Sequence, residues 1–292
     1  MWLADGTVTP SWNVVSDIRQ LWTFPFMVNA FRAGTIIAVA SAVLGWFMVL
    51  RRQTFAGHTL AVVGFPGAAG ATLIGVSAAY GYFGFCVAAA LVVAAIPRLG
   101  AGSHGHESAV TGTAQAFALA CGFLFIALYK GFLNGVNALL FGTFLGITDQ
   151  QVVVLLIVTA VVLAVLAIIG RPLLFTSIDP LVAQGRGMPV RLLSTVFLVL
   201  LGAAVAEASQ ITGTLLVFAL LVMPAATAQV LIARPALSLA VSAVIAVLVT
   251  WLGLAAAYFS VYSIGFFVSA LAFAAYLLAH LAQGVRQRWA IA

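Results

Sequence analysis

The chain has 292 residues, of which 64% are hydrophobic and only 6% charged, and its mean hydropathy is +1.22. A water-soluble domain carries roughly a quarter of its residues as charges, so this composition excludes one, and the surface must meet lipid. The net charge of +6 comes from eleven Arg and one Lys set singly or in pairs between apolar runs. These make no stripe able to track phosphates, which excludes nucleic acid as a partner.

In chain order, residues 1–25 read as an interfacial N-terminal segment, with Trp2, Trp12 and Trp22 set among Asp5, Asp17 and Arg19. No basic stretch followed by an apolar core marks a cleavable signal. Apolar runs bounded by charge, Gly or Pro then fall at 27–49, 57–78, 80–97, 110–128, 150–170, 192–208, 212–233, 236–259 and 264–284, giving nine candidate spans. The stretch Val136 to Ile147 is too short to cross and reads as a re-entrant piece or an extension of its neighbour. The expected fold is all-α: a polytopic membrane helix bundle of about eight or nine transmembrane helices. It occupies residues 26–285, with a cytoplasmic coupling segment at 171–191 and a cytoplasmic tail at 286–292.

Basic residues set the orientation, because they concentrate in cytoplasmic loops. With Arg51 and Arg52 inside, counting spans puts Arg98, Arg171, Arg186, Arg191, Arg234, Arg286 and Arg288 inside too, against Lys130, Arg19 and Arg32 outside. Cys86 and Cys121 both lie in apolar runs and read as packing residues, not a disulfide or a metal cage. Two spans carry a proline followed by small residues, at Pro66 and Pro224. By the span count they run in opposite directions, the pattern of an inverted repeat around a central pathway; the alternative is two unrelated kinks.

The polar groups in or beside spans are His58, Glu207, Gln210, Gln229 and His280. Ionisable groups in a membrane face the bundle interior or an aqueous cavity. His58 reads as a metal ligand or proton carrier, or else as a hydrogen-bonded packing histidine. Glu207 reads as a carboxylate drawing in cations, or else as one solvated at the interface. His280 reads as interfacial, and His104, His106 and Glu107 as a solvated loop able to hold zinc weakly. The connection Arg171 to Arg191 has Asp179 placed to cap a short helix, Pro180 at its first position and Gly185 or Gly187 to end it. Such a helix on the cytoplasmic side suits docking by another protein. No P-loop, His-Glu-x-x-His or Gly-x-Ser-x-Gly is present, so no enzymatic constellation is read.

Taken together, Val49-Leu50-Arg51-Arg52, Phe55-Ala56-Gly57-His58, Gly64-Phe65-Pro66-Gly67, Leu140-Phe141-Gly142, Asp179-Pro180 through Gly187-Met188-Pro189-Val190, and Gly213-Thr214-Leu215-Leu216-Val217 leading to Pro224-Ala225-Ala226-Thr227-Ala228 resemble the permease subunits of metal-ion ABC importers, the zinc and manganese type called ABC-3. The resemblance implies a type II importer in a prokaryotic cytoplasmic membrane. Its expected partners are cytoplasmic ATPase subunits, an extracytoplasmic metal-binding protein and a second permease copy, as a homodimer. The chain itself would bind no cofactor and hydrolyse no ATP. His58 and Glu207 would line the metal pathway, and Asp179, Pro180, Gly185, Gly187 and Pro189 would couple to the ATPase. The resemblance favours zinc as cargo, then manganese. One departure is that Ala61 and Val62 stand where relatives carry a Ser-His pair, so only His58 of that face can bind metal. The alternative function is an ion-gradient-driven secondary transporter using His58 or Glu207.

Overall fold

The computed structural model describes residues 20–99, 104–129, 146–260 and 262–291. Most of the residues 1–25 segment, Lys130 and Leu140-Phe141-Gly142 lie outside the described residues, as do the side chains of Arg98, His104, His106, Glu107, Arg286 and Arg288.

Hydrocarbon offers no hydrogen-bond partner to a peptide group, so a spanning chain must satisfy its backbone within helices. The helices are α1 (Pro25–Leu50), α2 (Thr54–Leu73), α3 (Ala78–Leu99), α4 (His104–Leu128), α5 (Asp149–Ile178), α6 (Pro180–Gly185), α7 (Val190–Thr212), α8 (Thr214–Leu231), α9 (Pro235–Tyr258) and α10 (Ile264–Ile291). Each of the nine apolar runs becomes a helix. Seven of these are long and apolar enough to cross a membrane. The other two, α2 and α8, carry Pro66 and Pro224 in their interiors. The hydropathy of α2 is diluted by Gly, Pro and polar residues, and the helix is buried along most of its length; α8 is strongly apolar, but its apolar stretch Leu216–Leu231 is shorter than the other spans.

Several boundaries differ from expectation: α4 begins at His104, within the stretch expected as a loop, α10 continues to Ile291 through the expected tail, and α5 outruns its expected end. The charge and proline at Arg171-Pro172 were read as the end of a span, yet α5 continues to Ile178 with Pro172 inside it. Tertiary packing overrides the proline: Leu173 and Thr176 are buried against the bundle, and the Thr176 hydroxyl donates to Leu173 O at 2.9 Å. The connection outside long helices therefore begins at Asp179.

Helix α2 packs against α3, α4 and α7, and α3 also packs on α7. On the other side α1 contacts α5, α8 and α9, and α10 closes over α8 and α9. Arg51, at the end of α1, donates to Ser177 near the end of α5 and to Ser194 near the start of α7. The Arg51-Arg52 turn and the Asp179–Pro189 connection thus share one face of the bundle, in agreement with the span count behind the charge-based orientation.

Small residues set the spacing of these helices, since van der Waals contact is what holds helices together in lipid. A Cβ at Gly45 would collide with the Leu221 carbonyl oxygen, and one at Gly67 with that of Gly81. At Gly202 it would sit 3.0 Å from the Cys86 carbonyl oxygen. Backbone cannot give way as a side-chain tip can. Gly45→Val should therefore lower the thermal unfolding midpoint of the detergent-purified chain, at a cost of about 1–3 kcal/mol. Gly84→Ala, where the new methyl meets nothing within 4 Å, should leave the midpoint unchanged or raise it.

Candidate metal pathway

His58 lies on the second turn of α2, just after the Arg51-Arg52-Gln53 turn in which Arg52 adopts φ +56°. Its ring meets Phe218 of α8 edge-on, with centroids 4.7 Å apart. Its Nδ1 is buried with no hydrogen-bond partner among the described residues. The histidine is thus packed, but at this nitrogen not by the hydrogen bond that the alternative reading supposes, leaving a ring nitrogen free to bind. One turn on, Val62 takes the i+4 position and Ala61 is buried, so α2 offers no second ligand on that face. Beside His58, the Thr59 hydroxyl donates to Gln115 Oε1 of α4 at 2.9 Å.

Glu207 is only 7% exposed. The residue as a whole is covered by the bundle, yet neither carboxylate oxygen is among the unpartnered atoms sealed from solvent, so the carboxylate keeps access to water. Among the described residues nothing donates a hydrogen bond to its carboxylate, and two residues on, the Ser209 hydroxyl is buried without a partner. Ala206 packs against Ala68 of α2 and Tyr82 and Cys86 of α3. Ala68 is ten residues past His58, or about 15 Å along α2 at 1.5 Å per residue. His58 and Glu207 therefore occupy different depths of the bundle. Among the described residues no three His, Cys, Asp or Glu side chains converge as a metal cage.

The other polar groups are mostly structural. Gln229 Nε2 donates to Trp46 O at 2.8 Å, and Trp46 Nε1 donates to the Ser238 hydroxyl at 3.0 Å, tying α8, α1 and α9 together. Gln210 Nε2 donates to Ala206 O. His280 is exposed on α10 and stacks edge-on with Tyr276. Cys86 and Cys121 are both free thiols, and Cys86 donates to Leu60 O at 3.3 Å. Pro66 and Pro224 are buried within α2 and α8, where neighbouring helices accommodate the lost backbone bond.

On the Arg51 face, Asp179 Oδ1 accepts from Val182 N at 3.0 Å and caps α6, with Pro180 in its first turn. Gly187 at φ +75° turns the chain in a region that favours glycine, and Pro189 precedes α7. Leu181 is 79% and Val182 46% exposed, apolar groups on an otherwise polar connection. A concavity of about 590 Å³ beside them is lined by Gln184, Met188, Pro189, Val190, Arg191, Leu192 and Thr195. The Phe218 contact and the Arg51 hydrogen bonds were not read from the sequence. Phe218 lies more than a hundred residues from His58, and Ser177 and Ser194 more than a hundred from Arg51, and no local pattern announces these contacts.

The sequence profile of the ABC 3 transport family matches residues 23–283. The chain belongs to the ABC 3 transport family. Among relatives, the manganese transport system membrane protein MntC of Halalkalibacterium halodurans is 29% identical over 85% of this chain and 83% of its own length. The chelated iron transport system membrane protein YfeC of Yersinia pestis is 30% identical over 74% of this chain and 72% of its own. The solved structure of PsaBC from Streptococcus pneumoniae in complex with Fab superposes with a TM-score of 0.80 at 25% identity, over 91% of this chain and 95% of that one. The fold is that of a multi-pass ABC 3 permease, a protein of the prokaryotic plasma membrane. These relatives are named for manganese and chelated iron, which does not support the zinc expectation.

A carboxylate without hydrogen-bond partners in a mostly covered residue adds little to the fold, and apolar replacement of such groups is often neutral or stabilising. Glu207→Leu should therefore unfold at or above the wild-type temperature in detergent while its metal uptake falls. A marked drop in the unfolding temperature would show that the carboxylate has a structural partner.

Proposed function

We propose that this chain is the membrane permease of an ATP-driven importer of a divalent transition-metal ion, with manganese as the first choice of cargo and iron the second. The observation that carries the reading is the family match over residues 23–283. The names of the relatives support the choice of metal. The carboxylate of Glu207 and the imidazole of His58 are ligand types that manganese and iron accept.

In this reading the ion passes Glu207 and His58 in turn. At Glu207 a carboxylate in a low-dielectric setting compensates the cation's charge, and at His58 the unpartnered Nδ1 offers a single ligand. Sites with few ligands bind weakly, and a conduit must release what it takes in. The valine at position 62 fits such loose, successive contacts. ATP is hydrolysed on separate cytoplasmic subunits that dock on the exposed Leu181 and Val182 of α6 and on Gly185, Gly187 and Pro189 around it. An extracytoplasmic metal-binding protein delivers the ion, and a second copy of the chain completes the pathway as a homodimer.

Reconstitution in liposomes with the companion ATPase and binding protein tests the reading. Uptake of radioactive manganese should require ATP and fall by about tenfold or more in His58→Ala and Glu207→Gln, with zinc carried less well. Flux through the chain alone, driven by an ion gradient, would establish the secondary-transport alternative instead. Asp179→Ala, which removes the α6 cap at a cost of about 1 kcal/mol, should reduce co-purification of the ATPase without unfolding the bundle.

A further inference from the structure

The turn between α1 and α2 holds a cation that the transport reading has not yet used. Arg51 is half-buried, and its guanidinium makes three side-chain hydrogen bonds: Nε to Gln53 Oε1 at 3.1 Å, one terminal nitrogen to the Ser177 hydroxyl at 3.0 Å, and the other to the Ser194 hydroxyl at 2.8 Å. The guanidinium carbon also lies 5.7 Å from the centre of the Phe197 ring. Every one of these partners is neutral, and burial pushes the guanidinium below its ordinary pKa. Arginine still remains charged at physiological pH, so the site keeps a cation with no carboxylate against it among the described residues.

The placement of the two serines gives this arrangement its meaning. Ser177 stands two residues before Asp179, and Ser194 five residues after Pro189. They flank the connection that carries α6, one on each side. Gln53, the third partner, is the residue immediately before α2, and Gly57 N bonds back to Gln53 O at 3.1 Å. His58 follows within the same turn. A planar fork with donors on three nitrogens can hold all three groups at once, which a lysine ammonium on a flexible stem does less well. Bonds to neutral hydroxyls are also weaker than ion pairs and can exchange partners without stranding an unpaired carboxylate.

We infer that Arg51 is a positioning residue that clasps both ends of the α6 connection to the start of α2, so that displacement of α6 is transmitted to His58. The inference rests on the permease reading for the direction of the signal, but the clasp itself does not. It passes through groups in contact, one route by which coupling between separated sites is carried.

Hydrogen exchange on the purified full-length chain tests the clasp without any partner. Arg51→Gln should speed amide exchange in the first two turns of α2 and in residues 179–194 by about tenfold. The double variant Ser177→Ala with Ser194→Ala should reproduce it, and Arg52→Gln should not. In liposomes with the ATPase, Arg51→Gln should cut metal moved per ATP by about tenfold while hydrolysis stays within about twofold; Arg51→Lys should keep the unfolding temperature but not restore that ratio. Two results overturn the inference: unchanged exchange at α2 in both the Arg51 and the double-serine variants, or hydrolysis and uptake lost in equal proportion. If wild-type chains show no ATP-driven uptake at all, the permease reading fails, and the exchange experiment still decides the clasp.

Discussion

A peptide group inside hydrocarbon has no water to bond with, and the whole architecture follows from that constraint. It forces the spanning segments into helices and removes the usual hydrophobic drive for helices to associate, since lipid tails are as apolar as leucine. What remains is close contact between surfaces and a few polar links. The bundle uses both. Gly45 against the Leu221 carbonyl, Gly67 against Gly81 and Gly202 against Cys86 bring backbones into contact. Gln229, Trp46 and Ser238 then fasten three helices by side-chain hydrogen bonds.

Against that background the unsatisfied groups stand out. Several hydroxyls in the spans bond to a carbonyl one turn back, as Thr35, Thr72, Thr227 and Thr250 do. The Nδ1 of His58 does not, and Glu207 has no donor among the described residues. A group that is costly to bury and left unpaired is poorly explained by stability. The two residues also lie on α2 and α7, which contact each other within the bundle. Their separation in depth means that they do not form two jaws of one cage.

Much of this was legible in the sequence. The nine apolar runs located the helices, since hydropathy reports what a segment meets on its outside. The capped helix at Asp179-Pro180 and the turn at Gly187 were also readable, because caps and glycine turns depend only on neighbours a few residues away. The end of α5 was misread for a related reason. Local rules stop a helix at a charge followed by proline, and only the burial of Leu173 and Thr176 against distant helices carries it two turns further. The zinc preference, drawn from resemblance, is not supported by relatives named for manganese and chelated iron.

By itself the sequence determined that this chain lives in a membrane, that it is helical, where its helices fall and which of its faces bears the charged connections. Those properties are set by composition and short-range pattern, which the bilayer reads directly. Only the tertiary structure decided that Glu207 is buried, that His58 faces Phe218, and that Arg51 joins the two ends of the α6 connection. Each of these depends on which helix lies beside which. In lipid that choice is made by contact between surfaces distant in the chain, and hydropathy, which is nearly the same for every span, carries no record of it.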